Sequence, residues 1–248
     1  MRGTLVLWAS LALAGCNAPD YSPVRDWAST ASRAVDFPRV AGGAILPSPG
    51  ADDGILAMQE ALVTYLRAIA TLASDGVLPY RESPFVELAA RAALGSPMGG
   101  QAITAFGLLL RHANRTNAQA PMLRDNIQAA DPHVQALVSA LRNAVAHRIG
   151  DETPARQDAA AFYAGIEARS GDAAARQVLR EWARRRDDEF AAQAAARLRY
   201  DEILTQVAAG HALLKGRAGR VTREDVVQEV RIAEDQLRRA ALALREGG

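Results

Sequence analysis

The chain has 248 residues, and its 29 Lys and Arg against 28 Asp and Glu leave a formal net charge of +1 at neutral pH. This balance provides no basic surplus of the kind that binds nucleic acid or an anionic bilayer surface, so we expect no nucleic-acid partner. Cys16 is the only cysteine, which excludes an intramolecular disulfide and a cysteine-based metal site. Alanine is the commonest residue and only 5% of residues are aromatic, a composition that favours helices.

The chain begins with the layout of a secretory signal. A basic residue precedes the apolar run Thr4–Gly15, which is shorter than the roughly 20 residues that a membrane-spanning helix needs. The run ends in Leu13-Ala14-Gly15-Cys16, which resembles the lipobox of bacterial lipoprotein precursors. The resemblance implies cleavage between Gly15 and Cys16, removal of residues 1–15 as a signal peptide, and coupling of Cys16 to a diacylglyceryl group.

The resemblance also implies a location. Acylation at Cys16 anchors the protein to a membrane, because two or three acyl chains bind a bilayer far more tightly than one. In enteric bacteria an Asp directly after the lipidated cysteine retains a lipoprotein at the inner membrane, and this chain has Asn17 instead. We therefore expect the outer membrane, with the body facing the periplasm. The alternatives are an ordinary signal with an accidental cysteine, or a buried cysteine in an N-terminal helix.

Residues 16–51 are predicted to form a tether that links the lipidated Cys16 to the body. Five prolines and several glycines in this interval oppose long helices and sheet ladders alike. One short helix over 23–35 is predicted, because Ser22-Pro23 is a favourable helix start and apolar residues follow at helical spacing. We expect Trp27 either to dock this helix on the body or to lie at the lipid interface.

Amphipathic helices fill the rest of the chain, residues 52–248, which we predict to be one helical bundle domain. The first four segments are expected from Asp52 to Gly76 with a seam of steps of three and four, from Ser83 to Gly95, from about Pro97 to Ala113, and from about Pro121 to Gly150 with a break or kink at Asp131-Pro132. No segment has the composition of a useful strand. Small residues on many seams predict an elongated antiparallel bundle.

Three further helices are predicted towards the end of the chain. Thr153-Pro154 is expected to open a short helix with Phe162 and Ile166, which Gly171 ends. A helix of 43 residues is predicted from Asp172 to Leu214, and a last one begins near Thr222. The apolar face predicted for the long helix consists of Val178, Leu179, Trp182, Phe190, Ala194, Leu198, Leu204, Val207 and Leu214.

Beyond the lipobox, three stretches resemble uncharacterised all-helical envelope lipoproteins of bacteria. They start at Tyr65-Leu66, at Ile127 and at Gly210-His211. This resemblance implies an all-α body and no particular activity.

The four histidines are weighed individually because no two of them stand at metal-ligand spacing. His133 and His147 are predicted to serve helix ends, and His112 has no partner at metal spacing on its helix. His211 lies on the inner side of the long helix beside Gly210, and it is the best candidate for a buried polar contact. A hydrogen-bonded core histidine remains the favoured interpretation over a ligand or catalytic base.

The densest charge run is Arg184–Glu189, three arginines followed by three acidic residues. Pairs at i,i+4, such as Arg184 with Asp188, would neutralise most of it, so a solvated face is favoured. The alternative is a polar seam in which Arg186 and Asp187 turn inward.

The sequence contains no catalytic motif, phosphate-binding loop or cofactor fingerprint. We therefore expect no cofactor and no metal, and a protein without enzymatic activity is favoured. We expect a lipid-anchored envelope protein with a non-catalytic scaffold or adaptor role towards another envelope protein. The alternative is a ligand-binding or enzymatic site between helices near His211 or the Arg184–Glu189 run. A pore former is disfavoured, because no helix after the signal is apolar all round. The oligomeric state is left open.

Overall fold

The computed structural model describes residues 20–37, 51–74, 83–114 and 119–246, together with Gly76 and Leu78. Within these residues the chain is all-α, as predicted: the helices pack against one another and no strand is found. The signal and the lipobox, with Gly15 and Cys16, lie outside the described residues. The helices are α1 (Ser22–Val35), α2 (Ala51–Leu72), α3 (Phe85–Gly95), α4 (Pro97–Asn114), α5 (Gln119–Arg169), α6 (Ala173–Arg217) and α7 (Glu224–Glu246).

The two long helices, α5 and α6, form an antiparallel hairpin. Ion pairs connect them along their length: Arg142 with Asp201, Arg156 with Asp187, and Glu167 with Arg180. As the residue number on α5 increases from pair to pair, the number of its partner on α6 decreases, so the two helices are antiparallel. α7 then returns along α6, with ion pair Arg217–Glu229 at one end and a hydrogen bond from Arg199 to the Ala243 carbonyl at the other.

The predicted seams of the first four helices after the tether contribute a large part of the core. On α2 the predicted seam is fully buried, and the α3 and α4 seams close over it. A Cβ built on Gly54 would lie 3.0 Å from the Cα of Gly95, so glycine at both positions lets α2 and α3 cross with their backbones in contact. The seam residues of α2 are Ile55, Met58, Leu62, Tyr65, Ile69 and Leu72.

Helix α1, predicted over 23–35, is present and belongs to the core rather than to a free tether. Trp27 is 1% exposed, so of its two predicted positions the structure shows docking on the body. A Cβ built on Gly210 would lie 2.5 Å from the Trp27 Nε1, so the missing side chain at 210 lets the indole lie directly on α6. The interval 16–51 therefore contains a helix that fills the bundle, because Val24, Ala28 and Ala31 are fully buried with Trp27.

Polar contacts hold the end of α1 in place. The Gln59 side-chain amide donates to the carbonyls of Val35 and Phe37, both at 2.7 Å, and the Tyr200 hydroxyl donates to the Val35 carbonyl at 3.0 Å. These donors satisfy carbonyls that a helix end leaves without an intrahelical partner. Helix α1 is thus fixed to α2 and α6 by directional bonds as well as by apolar contact.

The predicted helix boundaries inside α5 are wrong. The chain stays helical through Asp131-Pro132, Gly150 and Pro154, so there is no break at 131–132 and no separate helix opening at Thr153. An internal proline costs a helix about 3 kcal/mol or more, through one lost hydrogen bond and a ring clash. The antiparallel packing of α6 alongside α5 offsets this cost. A rule that considers only the residues next to the proline in sequence does not include this tertiary contribution.

The predicted α6, from Asp172, is confirmed at its start, where the Asp172 carboxylate accepts from the backbone N–H groups of Ala174 and Ala175. Its predicted apolar face is confirmed only in part. Leu204, Val207 and Leu214 are buried, whereas Val178, Trp182 and Leu198 are 43%, 53% and 61% exposed. Val178 and Trp182 lie where, among the described residues, only α5 accompanies α6. Leu198 is an exposed position on the part of α6 that also contacts α1 and α7.

This two-helix region is named the arm, residues 153–195. The core ends at its base: among core residues α5 contributes none beyond Val145 and α6 none before Ala196. Among the described side chains of the arm only Phe190 is buried, whereas the rest of the chain buries whole helix faces. The arm therefore extends beyond the core as a hairpin about 25 Å long, at 1.5 Å per residue.

Among the described residues, one helix is long and apolar enough to cross a bilayer by length and composition, Asp52–Leu72. In this structure 67% of its apolar window is buried inside the bundle, as in the core helix of a water-soluble protein.

Candidate functional site

A connected set of polar side chains lies inside the base of the bundle. The Tyr65 hydroxyl is 2.8 Å from His211 Nε2, and His211 Nδ1 is 3.0 Å from Asp131 Oδ1. The other carboxylate oxygen, Asp131 Oδ2, accepts from Lys215 Nζ at 2.9 Å. We call these four residues the buried relay. It connects α2, α5 and α6, so it joins the helix that fills the core to both helices of the hairpin.

Helical spacing brings the relay together. His211 and Lys215 are four residues apart on α6, so both side chains face the same part of α5. Gln135, four residues after Asp131 on α5, donates to Asp131 Oδ1 at 3.2 Å and to the Ala208 carbonyl at 2.9 Å. Each carboxylate oxygen of Asp131 therefore has at least one donor, as a buried carboxylate requires.

The charge state of the relay follows from its partners. The hydrogen bond from His211, helped by those from Lys215 and Gln135, holds the pKa of Asp131 far below its usual range, although burial opposes this. An ionised Asp131 can only accept, so His211 donates from Nδ1 and accepts the Tyr65 hydroxyl proton at Nε2. Burial lowers the pKa of His211, with a smaller opposing effect of Asp131, and the imidazole is accordingly neutral at pH 7.

The relay is closed to solvent at its reactive atoms. Tyr65 and His211 are 0% exposed and Asp131 is 5% exposed, whereas the Lys215 side chain is half exposed. The Phe106 ring stacks on Tyr65 with centroids 4.4 Å apart, and burial raises the pKa of Tyr65 strongly. The Tyr65 hydroxyl therefore stays protonated and enclosed, and buried hydrogen bonds through His211 connect α2, α5 and α6.

The structure does not bring the three predicted polar-site residues together. His211 lies in the relay, whereas Arg186 and Asp187 lie in the arm, about 37 Å away along α6 at 1.5 Å per residue. Asp187 pairs with Arg156 of α5. The Arg186 guanidinium pairs with Glu189 at 2.9 Å and lies over the Phe190 ring, 4.7 Å from its centroid. Arg186 thus turns towards the seam between α5 and α6, where Phe190 is buried. The ion pairs observed in the Arg184–Glu189 run differ from the predicted i,i+4 pairs.

A groove of about 300 Å³ runs along one side of the arm between α5 and α6. Three of its charged lining residues form ion pairs within the chain, Arg156 with Asp187 and Glu167 with Arg180. The lining also includes Arg184 and Arg186, and Arg186 pairs with Glu189.

A second buried charged group lies where the arm leaves the core. Arg148 and Arg197 are 7% and 2% exposed, and Arg148 forms an ion pair with Asp52 at the start of α2. Burial lowers the pKa of Arg197, and the neighbouring positive charge of Arg148 adds to this. The ion pair between Arg148 and Asp52 fixes the start of α2 to α5 near the point where the core ends.

The remaining histidines do not assemble into a site. His147 lies inside α5, which continues to Arg169, so its predicted role at a helix end is wrong. His133 is likewise within α5 and half-buried, so it serves no helix end, and His112 is exposed in the last turn of α4. In the part of the chain that the structure describes, no group of three or more His, Cys, Asp or Glu side chains could hold a metal ion.

The other side of the arm carries its exposed aromatic residues. Phe162 and Trp182 are 62% and 53% exposed, and the Phe162 and Tyr163 rings meet edge to face at 5.6 Å. In the register set by Arg156 and Asp187, Phe162 lies at the height of Trp182. Phe162 directly precedes the half-buried Tyr163, and Trp182 directly precedes the half-buried Ala183. In an antiparallel pair of helices, residues one position before the facing residue lie on the same side of the pair, so Phe162 and Trp182 share one side. We call Phe162, Val178 and Trp182 the aromatic face.

Sequence reasoning identified His211 but missed its partners. The sequence marks Asp131 only as part of a helix break and Tyr65 only as an apolar seam position, and it assigns no role to Lys215. The i,i+4 spacings of Asp131 with Gln135 and of His211 with Lys215 were the available signal. The pairing of α5 with α6 that joins them is a tertiary fact.

Comparison with family models, with curated proteins and with solved structures finds no match to this chain.

Proposed function

We propose that this protein is a lipid-anchored scaffold of the bacterial envelope, without catalytic activity, that contacts another envelope protein through its arm. The observation that carries the proposal is the contrast between a sealed polar interior and a projecting hairpin with exposed aromatic residues. Monomeric proteins seldom place large apolar side chains together on a surface that nothing covers.

The sealed relay supports a role without catalysis. Its histidine is fully buried and hydrogen-bonded at both ring nitrogens, so the imidazole has no free nitrogen for a substrate proton. In the groove on the arm, Arg156 pairs with Asp187 and Glu167 pairs with Arg180.

The shape of the arm supports a role in protein contact. Two helices alone cannot bury their apolar residues, and the side chains on both sides of this hairpin stay accessible. Tyr and Trp are enriched at protein interfaces and dominate their binding energy. Trp182 and Phe162, held on a paired helical frame, present such anchors at low entropic cost.

Anchoring is the part of the proposal that depends on Cys16. We expect metabolic labelling with palmitate to mark the full chain and to be lost in Cys16→Ser, because a hydroxyl cannot take the thioether-linked lipid. Membrane fractionation then tests the outer-membrane location expected from Asn17. A wild-type chain without label would overturn the anchoring.

The scaffold role is tested by shortening the arm in register. Removal of 156–166 together with 178–188 deletes about three turns from each helix, so the seam and the rest of the bundle stay aligned. In cells treated with a chemical cross-linker, we expect mass spectrometry to find partner proteins on the wild-type chain and to lose them on the shortened chain. Equal partner sets on both chains, with equal amounts of folded protein, would contradict the role of the arm.

A further inference from the structure

We infer that the aromatic face of the arm is a self-association surface, on which a second copy of this chain lays its own arm antiparallel to the first. This inference rests on the proposed function, since it identifies one occupant of the arm. The occupant is deduced from the positions of charges around the aromatic face and from the space above it.

The charges around the aromatic face are self-complementary. Arg169 is seven residues after Phe162, and Glu189 is seven residues after Trp182. A spacing of seven keeps a side chain on the same helix face, so both charges flank the aromatic face. Within its own chain Glu189 pairs with Arg186 at 2.9 Å, and an exposed pair of this kind contributes only about 0–1 kcal/mol, so Glu189 can exchange Arg186 for an arginine of the second copy. The helices are antiparallel, and Arg169 therefore lies about 10 Å towards the tip while Glu189 lies about 10 Å towards the base.

A two-fold axis across the arm at the height of Phe162 and Trp182 exchanges these two ends. It brings Glu189 of each copy level with Arg169 of the other copy, so the same contact forms twice. It also groups the aromatic residues of both copies at the centre. The two charged side chains stand on neighbouring helix columns about 10 Å apart, a gap that their combined length spans. Interfaces related by such an axis are self-complementary by construction.

The space above the aromatic face fits an antiparallel pair of helices. Nearer the base the hairpin is covered by α2, which begins at Ala51 beside Arg148. Beyond that point the described residues place no third helix on the hairpin. With the arms antiparallel, each copy's tip approaches the start of the other's α2 and the two cores lie at opposite ends, without overlap.

The size of the contact predicts a weak, reversible dimer. An arm about 25 Å long and two helices wide offers about 500 Å² per copy, and about 1,000 Å² in total is the lower end of specific interfaces. Lipid anchors confine copies to one membrane and raise their effective concentration, which favours such an interface. The dimer is therefore expected in the membrane or in mild detergent at high protein concentration.

Charge reversal tests the register of the pair. Two full-length copies with different affinity tags are co-expressed, and co-isolation in mild detergent is measured. We expect the wild type to co-isolate and Glu189→Arg to reduce co-isolation about tenfold, because each of the two contacts then places one arginine opposite another. Arg169→Glu is expected to lose a similar amount. A Glu189→Arg copy mixed with an Arg169→Glu copy is expected to recover the pairing, since every contact is again between opposite charges.

Controls separate pairing from folding. Asp188→Arg makes the same charge change one position away, on the outward side of α6, and is expected to keep wild-type co-isolation. Trp182→Ala is expected to lose about tenfold or more, as for an aromatic anchor. Ile232→Ala, which removes an equally exposed apolar side chain on α7, is expected to have no effect. Thermal unfolding of each variant verifies that it is folded.

A wild-type chain that never co-isolates with itself would overturn the inference. So would reversals that act no differently from Asp188→Arg, or a mixed pair of reversals that fails to recover. None of these results affects the proposed function, because loss of other partners from a shortened arm can be observed with a monomeric chain. Conversely, a dimer with no further partners would sustain this inference and end the scaffold proposal.

Discussion

The base of the bundle and the arm use the same long helices in opposite ways. In the base, other helices cover α5 and α6, and even polar residues such as Asp131 and His211 are buried there and hydrogen-bonded, with Tyr65 of α2 as a third member of the relay. In the arm the same two helices pack, among the described residues, only against each other, and Phe162 and Trp182 remain exposed. Side-chain changes should therefore alter stability in the base and association in the arm. The predictions below test that division.

The largest effect is expected from His211→Ala. The change leaves the Tyr65 hydroxyl without its acceptor and Asp131 Oδ1 without the closer of its two donors, and it opens a cavity between three helices. Leaving buried polar groups unsatisfied in this way costs about 3–5 kcal/mol of unfolding free energy. Urea denaturation measures it. Arg186→Ala is the control in the arm, and comparable losses in both variants would remove the distinction between the two regions.

Leu204→Ala and Leu198→Ala compare a covered and an uncovered leucine on one helix. Leu204 is 0% exposed and Leu198 is 61% exposed. We expect a loss of about 3 kcal/mol for Leu204→Ala, through lost burial and a cavity, and less than about 0.5 kcal/mol for Leu198→Ala. Denaturation curves with unchanged slopes verify the comparison. A large cost at Leu198 would mean that this side of α6 is covered in solution.

Gly210→Ala tests the docking of α1. Alanine favours a helix by about 1 kcal/mol over glycine, but a methyl group at 210 collides with the Trp27 indole. We expect a net loss of about 1–3 kcal/mol from overpacking. The matched change is Gly216→Ala on the same helix, where a Cβ meets no atom within 4 Å, and it should be neutral or stabilising. Similar thermal shifts for both variants would contradict the observed position of α1.

The relay also predicts a pH dependence. The pKa of His211 is lowered in the folded state, so the unfolded chain takes up the proton first and stability decreases as the pH falls below about 6.5. The pKa of Asp131 is lowered as well, so a second loss follows below about pH 4. Each group contributes at most about 1.4 kcal/mol per pH unit.

The difference between the wild type and His211→Gln isolates the histidine contribution. Glutamine does not titrate, so the variant should lose less stability than the wild type between pH 6.5 and 4. Melting temperatures at several pH values provide the measurement. Parallel profiles for the two proteins would mean that His211 is not buried as a neutral group.

The sequence predicts the helices of the base well because their burial is encoded locally. Ile55, Met58 and Leu62 repeat at steps of three and four, and one face of α2 is buried as that pattern indicates. Asp172 marks the start of α6 for an equally local reason, since its side chain accepts the first N–H groups. The all-α class follows from such features added along the chain.

Long-range features could not be predicted in the same way. The continuity of α5 through Pro154 depends on α6 lying beside it, and the burial of His211 depends on Tyr65 and Asp131 from two other helices. Trp182 is exposed because no other helix in the described part of the chain covers the arm, whereas its apolar character alone predicted an inward position. In each case the deciding contact joins residues far apart in sequence.

The most direct test of the division is site-specific photo-cross-linking in cells. A photoreactive amino acid is placed in turn at position 182 on the arm and at the exposed positions 108 and 242 on the bundle, in the full chain. Cross-linked products of higher mass are then quantified. The account predicts protein adducts, including the doubled chain, from position 182 and few from 108 and 242. Adducts from the bundle positions with none from position 182 would contradict it.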